Sequence, residues 1–350
     1  MKLKEQIILI STVLIMVAFF YLVREILFPF IMAGCLAYFL SPVVDKITKA
    51  CKSRIIATSL ILLTFFIIII IASIFIIPLI YNQVEFFIGK IPYYKNFITA
   101  RIIPYLQTSL LNLDPAIIDK VQNFINNLSS SLFTYITPFL RNIVSSSMGL
   151  INIFSLFLII PLLTFYLLLD WHKIVDCLHS LLPPKFKKAI TTQLQLIDLA
   201  LSGYIRGQFN ICLILIFYYG CCLRIIGLDY FLLLAVLSGV LFYLPYIGPL
   251  TGLLIASVLA YLQFGDFMHI FYVFFVFAGA QILEGGLLTP KLVGDKIGLH
   301  PVWIIFAVFA GGSLMGLSGI IIATPLAAIT SVLIRLTLKK YRQSSLFKAS

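Results

Sequence analysis

Leu244-Pro245-Tyr246-Ile247-Gly248-Pro249-Leu250 sits inside an apolar run that extends from about Tyr230 to Phe264. Two prolines and a glycine fall within five of its residues. Proline removes a backbone donor and clashes with the preceding turn, so a helix through this run must break here. A run this long and apolar belongs in lipid, where a freed backbone group finds no water to bond. The break stands where a break costs most, and the fold turns on what offsets it.

The rest of the chain agrees with a membrane setting. Hydrophobic residues make up 61% and charged residues 11% of the 350, whereas a soluble domain carries about 25% charged residues. Mean hydropathy is +1.10. Several charge-free runs reach about 20 residues, the length that crosses a bilayer core. The sequence therefore specifies an all-α, polytopic transmembrane bundle. A β-barrel would show short alternating segments, and the sequence has none. A net charge of +12 would suggest nucleic acid in a soluble protein. Here the basic residues cluster in links and at the ends, as topology determinants do, with no basic stripe interleaved with aromatics. No nucleic-acid partner is expected. The six cysteines, Cys35, Cys51, Cys177, Cys212, Cys221 and Cys222, form no C-x-x-C pair and have no histidine at metal spacing. They read as reduced thiols, with no metal and no cofactor.

About eight membrane segments follow. Three helices, near 7–23, 26–44 and 55–80, form an N-terminal unit, 1–80. Residues 81–147 are polar and proline-bearing, an extramembrane insert. Asp114-Pro115 marks a helix start there, and Ile117, Val121, Phe124 and Leu128 form an apolar stripe. That stripe packs on neighbours, lies on the membrane surface or joins subunits in a homo-oligomer. A fourth helix, 148–169, is followed by a polar, amphipathic cytosolic segment to 207. The transport core, 208–338, holds a helix over 208–226, the broken run, a helix over 267–288 and a final apolar run, 301–338. A basic tail, 339–350, closes the chain. Lys2, Lys4, the 45–54 link, the 170–207 segment and the tail are all rich in Lys or Arg. Both termini in the cytosol place every one of these inside and the insert outside.

The core contains two similar blocks. In each, a helix precedes an interrupted run. The first run breaks at Pro245 and Pro249, the second in Ala310–Gly319, which holds Gly311, with Pro325 close by. After the first break Gly248, Gly252, Ala256 and Ala260 recur every fourth place; in the second Gly312 and Gly316 share that spacing, then Gly319, Ala323 and Ala327. Such small-residue stripes let helices approach closely in lipid, so Gly248, Gly252, Gly312 and Gly316 are expected at helix contacts. Arms of about 22 Å fall short of a 30 Å core, which favours re-entrant hairpins over full crossings. The two blocks then run in opposite directions, the inverted-repeat design of secondary transporters. The other reading is two ordinary kinked hairpins.

The same residues carry a family likeness. GYIRGQ (Gly203–Gln208), LPYIGPLTG (Leu244–Gly252), QILEGGLLTPKLVGDKIGLHP (Gln281–Pro301) and GGSLMGLSGIIIATPLAA (Gly311–Ala328) resemble the conserved blocks of the autoinducer-2 exporter family, also called PerM-like permeases. The likeness covers nearly the whole chain. It implies about eight membrane segments, an extramembrane insert after the third and transport without ATP. It also implies export of a small signalling molecule or, in other branches, sodium/proton antiport.

Few residues offer chemistry. Only 14 residues lie between His269 and Glu284, fewer than a span of about 20, so Glu284 is at membrane depth. An ionisable group there is a transport or coupling candidate; the alternative is a solvated helix end paired with Lys291. Gln281 stands one turn earlier on the same face. Arg206 and Gln208 open the helix over 208–226, as an interface anchor or as a gating pair. No Walker motif, G-x-S-x-G or H-E-x-x-H is present, so neither ATP-driven transport nor an enzyme is expected. The sequence reads as a secondary transporter or exporter of a small polar solute in the bacterial cytoplasmic (inner) membrane. Its partners are lipids and a small-molecule or ion substrate, with H⁺ or Na⁺ coupling through Glu284. A monovalent cation/proton antiporter is the alternative within transport. A non-transporting scaffold built around the insert is the alternative outside it.

Overall fold

The structure is a computed structural model that describes residues 22–23, 26–97, 100, 123, 127, 147–182, 184–244, 247–293 and 301–343. Residues 7–21 of the helix expected at 7–23, the insert residues Asp114, Ile117, Val121, Phe124 and Leu128, and Pro245 lie outside the described residues. All elements within them are helical: α1 (Leu27–Cys51), α2 (Arg54–Phe97), α3 (Ser147–Ser180), α4 (Pro184–Ile226), α5 (Phe231–Leu241), α6 (Ile247–Phe264), α7 (Phe267–Leu283) and α8 (Pro301–Gln343). Between the last two, α7 continues directly into a π-helical segment, Glu284–Val293.

Six described helical stretches are long and apolar enough to cross a membrane: Leu27–Cys51, Arg54–Tyr94, Leu156–Cys177, Ile190–Ile226, Ile247–Phe264 and Phe267–Leu292. Their outer surface is as telling as their length. Ile67 through Ile71, Ile74, Phe75 and Ile77 are all exposed along α2. Water would make such a surface unstable, and lipid does not. The chain is an integral, multi-pass membrane protein.

Three helices extend further than the hydropathy suggests. α2 does not stop at residue 80. At 44 residues it is about 66 Å long, roughly twice a bilayer core. Its far part is anchored: Lys90 pairs with Asp229 at 3.2 Å, and the Tyr94 and Tyr230 hydroxyls bond at 2.8 Å. Gln83 accepts from the Leu233 amide at 2.9 Å. Residues 81–97, at the start of the expected insert, are thus a continuation of α2 docked on the turn before α5. The polar segment 170–207 is helical too. α3 carries on to Ser180, and α4 starts at Pro184, where a missing N–H costs nothing. Arg206 and Gln208 therefore lie inside α4 rather than at its opening.

α4 is the central post. Ile211, Leu215, Tyr219 and Leu223 of α4 pack into one buried cluster with Leu234 and Ala235 of α5, Ala256 and Ala260 of α6, and Val273 and Phe277 of α7. A second cluster joins α1 (Ala37, Leu40, Val44), α2 (Ala57, Ile61, Leu62) and α3 (Leu168). Arg54 closes its end, donating from Nε to the Leu168 carbonyl at 2.9 Å and pairing with Asp45 at 3.1 Å.

Both interrupted runs fold back on themselves. α5 and α6 meet through glycine: a Cβ on Gly248 would strike the Leu241 carbonyl, and one on Gly252 would strike the Ser238 hydroxyl. The turn itself begins at Phe242. Gly248 and Pro249 lie in the first turn of α6, where amides lack helical partners and proline is tolerated. α8 bends at Gly316, whose φ of 60° and ψ of −137° suit a residue without a Cβ. The bend brings Gly311 and Gly319 into backbone contact, so a Cβ on either would hit the other's carbonyl. Gly316 departs from the helix contact expected of it. Gly312 faces Ile320, but among the described residues no atom lies within 4 Å of a Cβ placed on Gly316. A positive φ breaks the helical period, so spacing of four no longer means one face.

Candidate functional site at the hairpin junction

A broken or proline-bearing helix leaves carbonyl groups without amide partners, and in a membrane interior those groups need donors. Three donors trace the site. Gln208 Nε2 donates to the Phe242 carbonyl, where α5 ends, at 2.9 Å, and is itself 7% exposed. The Tyr243 hydroxyl, in the turn before α6, donates to the Ile321 carbonyl of α8 at 2.9 Å. Ile321 stands four residues before Pro325, so no helical N–H competes for it. Arg206 Nε donates to the Tyr38 carbonyl of α1 at 2.9 Å, four residues before Pro42.

The junction formed this way is polar yet largely uncharged. Tyr204 stands edge-on to Tyr243 with ring centroids 6.3 Å apart. The Tyr204 and Thr324 hydroxyls approach one another but make no hydrogen bond of good geometry. They are 4% and 1% exposed. Arg206 belongs to its α1 side, where Tyr38 also donates to Asp198 at 3.1 Å and meets Trp171 edge-on at 5.2 Å. Phe39 of α1 and Phe209 of α4 meet with their rings tilted at 47° and centroids 4.3 Å apart.

Glu284 and Gln281 form a separate group. Gln281 Nε2 donates to Glu284 Oε2 at 3.2 Å, and the Thr289 hydroxyl donates to Oε1 at 2.5 Å. Thr289 reaches because Glu284 opens the π-helical segment; its i→i+5 winding brings residue 289 over residue 284. Lys291 makes no ion pair with Glu284 among the described residues. No described hydrogen bond or ion pair links Glu284 to Arg206 or Gln208, so the sequence candidates divide between two places. Tyr204, Tyr243 and Thr324 carried no sequence signal of their own. Prolines 42 and 325 indicate which carbonyls are freed, but nothing in one sequence names the donor across the bundle.

Lipid-facing helices, two folded-back hairpins and a buried polar junction between them define a polytopic membrane protein of the transporter class. The chain belongs to the AI-2E family: the model described as AI-2E family transporter matches residues 10–339. Several relatives carry provisional transport names. Permease PerM of Escherichia coli strain K12 is 29% identical over 332 residues, 93% of this chain and 92% of that protein. Transport protein YueF of Bacillus subtilis strain 168 is 27% identical over 319 residues, 89% and 84% of the two chains. Transport protein YrrI of the same organism is 36% identical over 188 residues, and that alignment spans 53% of each chain.

Proposed function

We propose that the protein is a secondary transporter that exports a small polar solute across the bacterial cytoplasmic membrane. The observation that carries this reading is the meeting of the two hairpins, where Tyr243 bonds the Ile321 carbonyl beside the buried hydroxyls of Tyr204 and Thr324. Such a junction offers a polar solute partners at depth without a fixed charge to hold it. Both hairpins mount on α4, and moving one against the other opens the junction to either side. In this reading the hairpins re-enter rather than cross, and the two blocks are inverted relative to each other. The termini and 170–207 face the cytosol, and the segment beyond α2 faces outside.

Glu284 supplies the coupling. Its carboxylate is held by two neutral donors, Gln281 and Thr289, which leaves it free to exchange a proton or bind a monovalent cation. That arrangement also favours the second reading, cation/proton antiport. Purified protein in proteoliposomes, screened with ions and small metabolites under imposed gradients, tests both. A scaffold gives no flux.

A further inference from the structure

Each hairpin packs chiefly on α4, yet a hydrogen bond runs directly from one to the other. Its acceptor exists because of Pro325. In an α-helix the Ile321 carbonyl would take the amide of residue 325, and proline has none. The hydroxyl of Tyr243, from the turn of the α5–α6 hairpin, takes that carbonyl instead at 2.9 Å. Gln208 fixes the same turn by bonding the Phe242 carbonyl, the residue next to Tyr243. A bond of this kind can open without unwinding a helix, because no ladder depends on it. The hydroxyls of Tyr204 and Thr324, buried and without a well-formed bond, stand at hand as substitute partners.

We infer that Tyr243 is a positioning residue: its hydroxyl latches the α5–α6 hairpin to the second arm of α8 through the carbonyl that Pro325 frees, and release of this latch lets the hairpins part. The inference rests on the transport reading for its purpose, but the latch is measurable without any substrate.

Cys212 of α4 is half-buried and its thiol lies near Tyr204 and Tyr243, so it reports on the junction. The test uses full-length protein that keeps Cys212 as its single cysteine and follows thiol modification by a small methanethiosulfonate. Tyr243→Phe removes the donor. Pro325→Ala supplies an amide that claims Ile321. Each should raise the modification rate about 3- to 10-fold, the shift expected for one net hydrogen bond. Because both act on one bond, the double variant should react no faster than the quicker single variant. Tyr218→Phe is the control. It removes a hydroxyl that donates to the Val276 carbonyl at 3.2 Å, a carbonyl not freed by proline, and should leave the rate unchanged. A wild-type rate in Tyr243→Phe, or effects that multiply in the double variant, would overturn the latch. Should Tyr243→Phe not fold, Pro325→Ala decides alone, since it keeps the tyrosine. Absence of wild-type flux would defeat the transport reading, while the labelling pattern would still decide the latch.

Discussion

Arg206 Nε lies 2.9 Å from the carbonyl oxygen of Tyr38, the oxygen that Pro42 leaves without a helical amide. The guanidinium thereby repairs a proline break in a different helix and ties α4 to α1. Arg206→Ala should lower stability by about 1.5–3 kcal/mol, the range for a charge-assisted bond. Adding Pro42→Ala should restore part of the loss, because residue 42 then caps Tyr38 itself. Thermal unfolding in detergent measures both. Arg206→Lys should fall between, since a point donor lacks the planar fork.

The hairpin in α8 depends on two glycines in backbone contact. Gly311→Ala or Gly319→Ala should destabilise by at least about 1–3 kcal/mol, since neither carbonyl can move aside as a side chain would. Gly316→Ala meets open space but a φ of 60°, so its cost is conformational, of order 1–3 kcal/mol. Gly285→Ala and Gly286→Ala meet nothing within 4 Å among the described residues and should be nearly neutral. Unfolding midpoints of the five variants separate packing from strain.

Asp266 caps α7, accepting from the His269 amide at 3.1 Å and contacting its ring nitrogen at 2.7 Å. The His269 side chain, then its amide, hold the Asp266 carboxyl below its usual range. A depressed carboxyl contributes stability above its unfolded pKa of about 3.9 and loses it as pH falls through the lower folded value. Asp266→Asn should flatten the acid limb of the stability profile below about pH 4 and leave neutral pH little changed, because Asn also caps.

Orientation is tested by labelling in whole cells. On a cysteine-free background, an impermeant maleimide should modify Ser129→Cys and spare Ser180→Cys. The reverse pattern would turn the bundle over.

The helices and their lipid setting were legible because hydropathy reports transfer into lipid directly. The runs at 244–250 and 310–319 were legible as breaks because Pro and Gly act locally. Helix ends were not. Residues 81–97 and 170–207 are polar, and polarity marks a change of setting rather than the end of a helix: α2 runs on to Phe97, held by Lys90–Asp229 and Tyr94–Tyr230, and α3 and α4 run through most of 170–207. Gln208 and Arg206 stood out as polar residues in an apolar context, but their role in capping the Phe242 and Tyr38 carbonyls depends on which helices adjoin α4. Thr289 was out of reach of the sequence for another reason: it meets Glu284 only through the π-helical winding. Spacing misled at Gly312 and Gly316, where a positive φ cancels the period.

The most direct measurement is gradient-driven flux through the purified protein in proteoliposomes, wild type against Glu284→Gln, across a range of pH. The account predicts protein-dependent flux of a small solute or monovalent cation in the wild type. It predicts loss of the pH or cation dependence in Glu284→Gln, with the variant still folded and inserted. No protein-dependent flux of any solute tried would contradict the transporter reading, and an unchanged pH profile in Glu284→Gln would remove Glu284 from the coupling.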